Sequence, residues 1–356
     1  MDSNTSLSEG GEVDAVIIGA GFSGLYQLHC LRDKLGLSCV VLEAANGIGG
    51  TWYHNRYPGA RCDSESHSYS YYFSDEILRE WDWTERYPQQ HEIMAYLNFV
   101  AKKLDLMKDI VLGAHVSTAH FEENDNIWRI TTSKGFKYKA NFLITAVGCL
   151  SSANIPNISG LKSFSGESYH TGNWPHEMVN FHGKRVGIIG TGSTGIQAIP
   201  VIAETAKHLT VFQRTPNYSI PAHNRPLSDE FKTFTKNNIK ELRKLMHSST
   251  NGHPFLISDE SALNVSENER EKLYEEAWKV GGLRFRGVFS DILINKDSND
   301  TAANFIKDKI FKIVDDQKIA KKLSNIDHPF ATKRPPIDTN YFETYNRDNV
   351  DLVDVR

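Results

Sequence analysis

Two glycine-rich turns carry the first chemistry legible in this chain. Gly19-x-Gly21-x-x-Gly24 follows the apolar run DAVII and opens a helical pattern. Glycines at this spacing allow a tight turn, let the backbone approach a pyrophosphate, and let helix and strand pack closely. The free amides of the helix N-terminus then face the phosphates. Gly190-x-Gly192-x-x-Gly195 repeats the plan after RVGII. Glu43 lies 24 residues past Gly19, and Arg214 lies 24 past Gly190, so one structural slot holds an acid once and a base once. A carboxylate there accepts the hydroxyls of an unphosphorylated ribose, as in FAD or NAD, whereas a guanidinium suits a 2′-phosphate. The pair asks for one FAD or NAD and one NADPH.

The elements that must position these residues follow from periodicity. DAVIIGAGFSGLYQLHCLRDKLG followed by SCVVLE reads as strand, turn, helix and strand, a βαβ unit. Residues 88–105 read as a helix, and IVLGAHVSTAHF, IWRITTS, FKYKANF and LITAVG as strands. KRVGIIGTGSTGIQAIPVIAETAKHLTVFQR repeats the βαβ plan, and VDLVDV is a final strand. The fold class expected is α/β, with two dinucleotide-binding, Rossmann-like domains and a helical insertion in the second. Its expected parts are a disordered N-terminus at 1–11, an FAD-binding domain at 12–150, and the first part of an NADPH-binding domain at 151–222. A helical insertion at 223–327 and a return to the NADPH domain at 328–356 complete it.

Composition excludes several other classes. The 356 residues carry a net charge of -4, which argues against nucleic-acid binding and a basic membrane-surface role. The first dozen residues are polar and acidic, and no apolar run reaches the length of a membrane span, so a cytoplasmic protein is expected. The four cysteines, Cys30, Cys39, Cys62 and Cys149, form no C-x-x-C pair and no zinc spacing, and no metal site is expected. Two nucleotide units in one chain suggest a flavoprotein in which NADPH reduces FAD. With no dithiol to receive the electrons, dioxygen is the natural acceptor.

At this point the residues resemble a family. FSGESYHTGNWP, at 164–175, matches at every fixed position the fingerprint F-x-G-x-x-x-H-x-x-x-W-[PD] of the type I Baeyer–Villiger monooxygenases, relatives of the flavin-containing monooxygenases. GGTWYHNRYPGARCDSES, GTGSTGIQ, FQRTPNY and KRPPIDTNYFETYNRDNV resemble further segments of that family in the same order. The resemblance implies FAD, NADPH, O2 and a small-molecule ketone, which is converted to an ester or lactone through a C4a-peroxyflavin.

It also implies roles residue by residue. Arg334 is the catalytic arginine, near flavin and nicotinamide, and Asp63 the carboxylate that orients it. Thr51, Trp52, Tyr53, Asp63 and Tyr69 join Gly19, Gly21, Gly24 and Glu43 around FAD. Thr191, Ser193, Thr194 and Gln197 line the second glycine turn beneath NADPH. Arg214, Thr215 and Lys333 sit at its 2′-phosphate side, with Arg61 and Cys62 nearby. In the fingerprint, Phe164 and Trp174 are expected to anchor packing, Gly166 to meet a backbone requirement and His170 to act as a hydrogen-bonding hinge between domains.

Two departures bear on the function. His54 stands where many relatives have a second tryptophan. Relatives also continue past the equivalent of Arg356 and return to complete the FAD domain, so unpaired sheet edges and exposed apolar surface are expected here. Two alternatives therefore stand beside the ketone oxidant. One is an N- or S-oxygenating flavin-containing monooxygenase, and the other a truncated, inactive nucleotide-binding protein. Lys333-Arg334 favours ketone oxidation, because attack on a carbonyl needs an oxidant held as an anion.

Overall fold

The computed structural model describes residues 9–249 and 252–356. The chain divides into two compact units, one formed by residues through Arg56 together with Gln90–His176, the other by Tyr57–Gln89 and Glu177–Arg356.

The first unit is built on a six-stranded sheet: β1 (Gly10–Ile18), β2 (Cys39–Leu42), β3 (Ile110–Val111), β4 (Val116–Glu122), β5 (Ile127–Thr132) and β6 (Lys137–Thr145), in the order β3-β2-β1-β6-β5-β4. β1 runs parallel to β2 and β6, while β4, β5 and β6 form an antiparallel meander. All four residues of β2 are buried, as a strand covered on both faces requires. Val13, Val16, Val40, Leu42, Ile130, Tyr138 and Ala140 close the core. Most of the expected disordered leader lies outside the described residues, and Gly10 and Gly11 already pair with Lys137 and Tyr138.

FKYKANF and LITAVG, expected as two strands, form the single strand β6. The hydrophobic pattern changes at Ala140 because β5 pairs β6 only that far, whereas β1 continues alongside to Thr145. Beyond that point one flank of β6 pairs with no strand among the described residues, and Phe142, Val147, Leu150 and Ile155 are exposed.

The second unit holds a three-stranded parallel sheet of β7 (Arg185–Ile189), β8 (His208–Gln213) and β11 (Val350–Asp354), ordered β11-β8-β7. A parallel two-stranded ribbon joins β9 (Ile220–Pro221) to β10 (Ile337–Asp338). Helices Asp229–Asn237, Ile239–Ser248, Glu267–Val280, Lys296–Ile313 and Gln317–Ser324 lie between β9 and β10 in sequence. Tyr274, Phe285, Phe289 and Phe305 pack as an aromatic cluster with ring centroids 5.3–5.8 Å apart. Such rings bury large areas and tie Glu267–Val280 to Lys296–Ile313. No helix among the described residues is long and apolar enough to cross a membrane.

Candidate active site

The two glycine turns have the same geometry. Gly19 has φ +101°, and a Cβ on it would lie 2.6 Å from the Ala146 carbonyl oxygen; a Cβ on Gly24 would lie 1.8 Å from the Gly19 oxygen. In the second turn Gly190 has φ +103°, and a Cβ on Gly195 would lie 2.3 Å from the Gly190 oxygen. Both turns feed helices, Phe22–Leu28 and Ser193–Thr205, whose N-caps, Gly21 and Gly192, supply no side-chain hydrogen bond. The first amides of each helix stay available to an acceptor such as a phosphate. A Cβ built on Gly192 meets nothing within 4 Å, so the space above the second turn is open. These cradles fit dinucleotides.

The acid and the base stand where the spacing puts them. Glu43 is buried at the end of β2, with Oε2 accepting from Ala20 N at 2.7 Å and Oε1 from Ala45 N at 2.8 Å. The two bonds fix the carboxylate beside the glycine turn, and each oxygen keeps a lone pair for a ribose hydroxyl. Arg214 follows β8 directly, is exposed and makes no ion pair among the described residues. Thr191 Oγ1 donates to the Thr215 carbonyl at 3.2 Å, tying the second turn to the chain just past Arg214. Lys333 is also exposed.

Thr51, Trp52 and Tyr53 form a short helical turn, Thr51–His54, entered through Gly49 and Gly50 at φ +122° and +57°. A Cβ on Gly49 would strike Met94 Sδ at 2.5 Å, and the Trp52 carbonyl accepts from Gln90 Nε2 at 2.5 Å. The turn is thereby seated on the helix Gln90–Lys103. Tyr53 lies 4.9 Å from His176, which Arg56 reaches at 2.9 Å.

In the second unit the segment from Tyr57 to Asp63 lies against the helix of the second turn. Gln197 Nε2 donates to the Arg61 carbonyl at 3.1 Å, and Gln197 Oε1 accepts from Tyr57 Oη at 2.8 Å. Gly59, at φ +81°, permits that approach, because a Cβ there would lie 2.4 Å from the Gln197 carbonyl oxygen. Arg61 is held 3.6 Å from Glu85, and burial lowers its pKa. The Cys62 thiol is buried and pushed up to about 12 by that burial, which makes it an inert packing group.

Asp63 and Arg334 meet in a two-bond fork, Nε to Oδ2 at 2.7 Å and Nη2 to Oδ1 at 3.0 Å. The hydrogen bond to Asp63 raises the Arg334 pKa, and half of the arginine side chain stays exposed. Tyr69 is within electrostatic reach of the same guanidinium. The arrangement is a fixed, permanently charged group with its remaining N–H donors free to face a developing anion.

The fingerprint segment behaves differently from expectation in part. A Cβ on Gly166 would lie 2.7 Å from the Phe164 ring, which accounts for the glycine, but Phe164 itself is 63% exposed and anchors no core. His170 Nδ1 accepts from Gly172 N at 3.1 Å, and its carbonyl accepts from Asn173 N at 2.9 Å, so it holds a local turn. Trp174 packs against Tyr169 at 5.4 Å.

Sequence reasoning missed Tyr57, whose only signal is its place two residues before Gly59. It also missed the partly buried ion cluster of Glu65 with Arg86 (2.8 Å) and Arg284 (3.4 Å), residues scattered over three segments. Burial acts to raise the Glu65 carboxyl, but the hydrogen bond and charge of Arg86, with the charges of Arg284 and His67, together hold it below its ordinary range.

Two glycine turns, one followed by an acid and the other by a base, mark a chain with two dinucleotide-binding units. A family model described as pyridine nucleotide-disulphide oxidoreductase matches residues 16–279. A Baeyer–Villiger monooxygenase of Pseudooceanicola batsensis is 45% identical over 358 residues, covering 100% of this chain and 65% of that protein. The phenazine N-monooxygenase PhzNO1 of Lysobacter antibioticus is 45% identical over 342 residues, covering 96% and 63%. Among solved structures, OTEMO in complex with FAD and NADP superposes with a TM-score of 0.93 at 43% identity, covering 97% of this chain and 66% of that one. The chain belongs to the pyridine nucleotide-disulphide oxidoreductase family, and the proteins it resembles include a Baeyer–Villiger monooxygenase. It spans just under two thirds of the length of these relatives.

Proposed function

We propose that this site serves an NADPH- and FAD-dependent monooxygenase that inserts one oxygen atom of O2 beside a ketone carbonyl, giving an ester or lactone. The observation that carries the reading is the Asp63–Arg334 fork. Flavin reduced by NADPH supplies the activation of oxygen when both are bound. Glu43 accepts the ribose hydroxyls of FAD, and the amides at the start of Phe22–Leu28 face its pyrophosphate. Arg214 and Lys333 hold the 2′-phosphate of NADPH, over the open second turn. Arg334 stabilises negative charge, first on the oxidant and then on the oxygen of the attacked carbonyl. Asp63 sets the plane of that guanidinium and keeps it protonated, so no proton leaves it during the reaction.

Oxygenation at nitrogen is the second reading, favoured by the equal identity to the phenazine N-monooxygenase. A protonated oxidant suits an amine, so that reaction gains little from a clamped cation. The purified protein is first tested for a flavin spectrum that bleaches with NADPH under anaerobic conditions. Arg334→Ala then separates the readings: ketone oxidation lost with NADPH oxidation retained is expected. Unchanged ketone oxidation in the variant, or a protein that cannot take up FAD, overturns the proposal.

A further inference from the structure

One guanidinium of the second unit has no ion pair among the described residues. Arg86 and Arg284 share Glu65, and Arg334 has Asp63. Arg286, on the turn Leu283–Gly287, has no carboxylate within ion-pair distance among the described residues. Its Nε is buried without a hydrogen-bond partner, and its Nη2 lies 3.2 Å from His253 Nε2. The arginine must donate in that contact, so the imidazole accepts and is neutral. Burial, then the charges of Arg286 and Arg334, hold the His253 pKa below its ordinary value, which agrees with that assignment. Burial and the repulsion of Arg334 push the Arg286 pKa down as well, with Asp63 offsetting them only in part, so the two guanidiniums share one neighbourhood. A half-buried guanidinium with an idle donor and no carboxylate at ion-pair distance is costly to keep, unless an anion enters.

The surroundings say what kind of anion. His253 stacks on Phe255 at 5.1 Å, and Gly287 lies close enough that a Cβ would touch Ile257 at 3.5 Å. The segment beside Arg286 continues with Leu256, 70% exposed, and Ile257, which is also exposed. An idle cation bordered by open apolar surface suits a molecule with an apolar body and one acidic group.

We propose that Arg286 is a specificity-determining residue that binds a carboxylate, so that the preferred ketone of this protein is an oxo acid. This deepens the ketone reading above and rests on it for turnover, though not for binding. The phosphates of NADPH are the other source of an anion, and the experiment separates the two.

The flavin-loaded chain is titrated calorimetrically with 4-oxopentanoate, with its methyl ester and with NADP+, alongside Arg286→Met and Arg286→Lys. The wild type is expected to bind the acid more tightly than the ester. Arg286→Met should weaken acid binding roughly tenfold to hundredfold, collapsing the acid-to-ester preference, because a hydrogen bond to a charged group is lost. Arg286→Lys should keep part of that preference, and the NADP+ affinity should be the same in all three proteins. A wild type with no preference for the acid overturns the proposal whether or not the variants fold. So does an Arg286→Met variant that loses NADP+ affinity instead, which would give the anion site to the nucleotide. Acid bound selectively but never oxygenated would sink the ketone reading and leave this one standing. Ketones oxygenated without regard to charge would do the reverse.

Discussion

Tyr57 and Gln197, 140 positions apart in the chain, are joined by a 2.8 Å hydrogen bond. Through it the helix of the second glycine turn is fastened to the segment that ends in Asp63, and Asp63 in turn sets the plane of Arg334. A dinucleotide on that turn and the clamped arginine therefore share one rigid connection. Gln197→Leu should raise the KM for NADPH several-fold and increase the NADPH consumed per ester formed. The ratio of hydrogen peroxide to product checks this. A lowered melting temperature with an unchanged ratio would confine Gln197 to a structural role.

Asp63 acts through Arg334. Asp63→Ala removes both arms of the fork, leaving the guanidinium charged but free to swing. Product formation should fall about 10²-fold, the size of effect seen when one electrostatic donor is displaced, while NADPH oxidation continues. Arg334→Lys keeps the charge, cannot form the two-bond fork, and should show the same split. Full activity in either variant would remove the clamp from the mechanism.

The glycines of the two turns should fail differently. At Gly24 an added Cβ lies 1.8 Å from a backbone oxygen, so Gly24→Ala should disrupt the first turn and abolish retention of flavin. At Gly192 the same methyl meets no protein atom within 4 Å, and the φ of -80° is ordinary. Gly192→Ala should therefore fold and keep its flavin, yet bind NADPH at least tenfold more weakly, because the methyl stands where the phosphates approach. Flavin absorbance and NADP+ titration on each variant decide the matter.

Asp338 is fully buried in β10, where Ser219 Oγ donates to it at 2.5 Å and Tyr341 N at 3.2 Å. Burial pushes its pKa up from 3.8 to about 7. Below pH 3.8 the acid is protonated folded or unfolded and costs nothing. Between about pH 4 and 7 the unfolded chain gives up the proton while the native one keeps it, so stability falls as pH rises, and it levels off above 7. The displacement corresponds to about 4 kcal/mol. Asp338→Asn should match the wild type near pH 4 and exceed it increasingly up to pH 7, as measured by thermal melts. A difference independent of pH would show that the carboxyl ionises normally.

What could be read from the linear chain was whatever lies within one supersecondary unit. The glycine turns, Glu43 and Arg214 at matching offsets, the apolar run of β1 and the alternation of β8 are set by backbone geometry and side-chain periodicity over a few tens of residues. β6 was misjudged because its pattern depends on how far its neighbour β5 extends, a property of the sheet and not of the strand.

The Asp63–Arg334 fork was legible only as a resemblance, since the two residues are separated by 271 positions and nothing in either local sequence names the other. Tyr57 against Gln197, the sinking of Cys62 into the core and the missing counter-ion of Arg286 were settled by tertiary structure alone. Each depends on which segments the topology brings together and how much water it excludes there. Residue types along the chain determine which nucleotides this protein can hold, and the packing of distant segments decides where its charges are paired and where one is left without an ion pair.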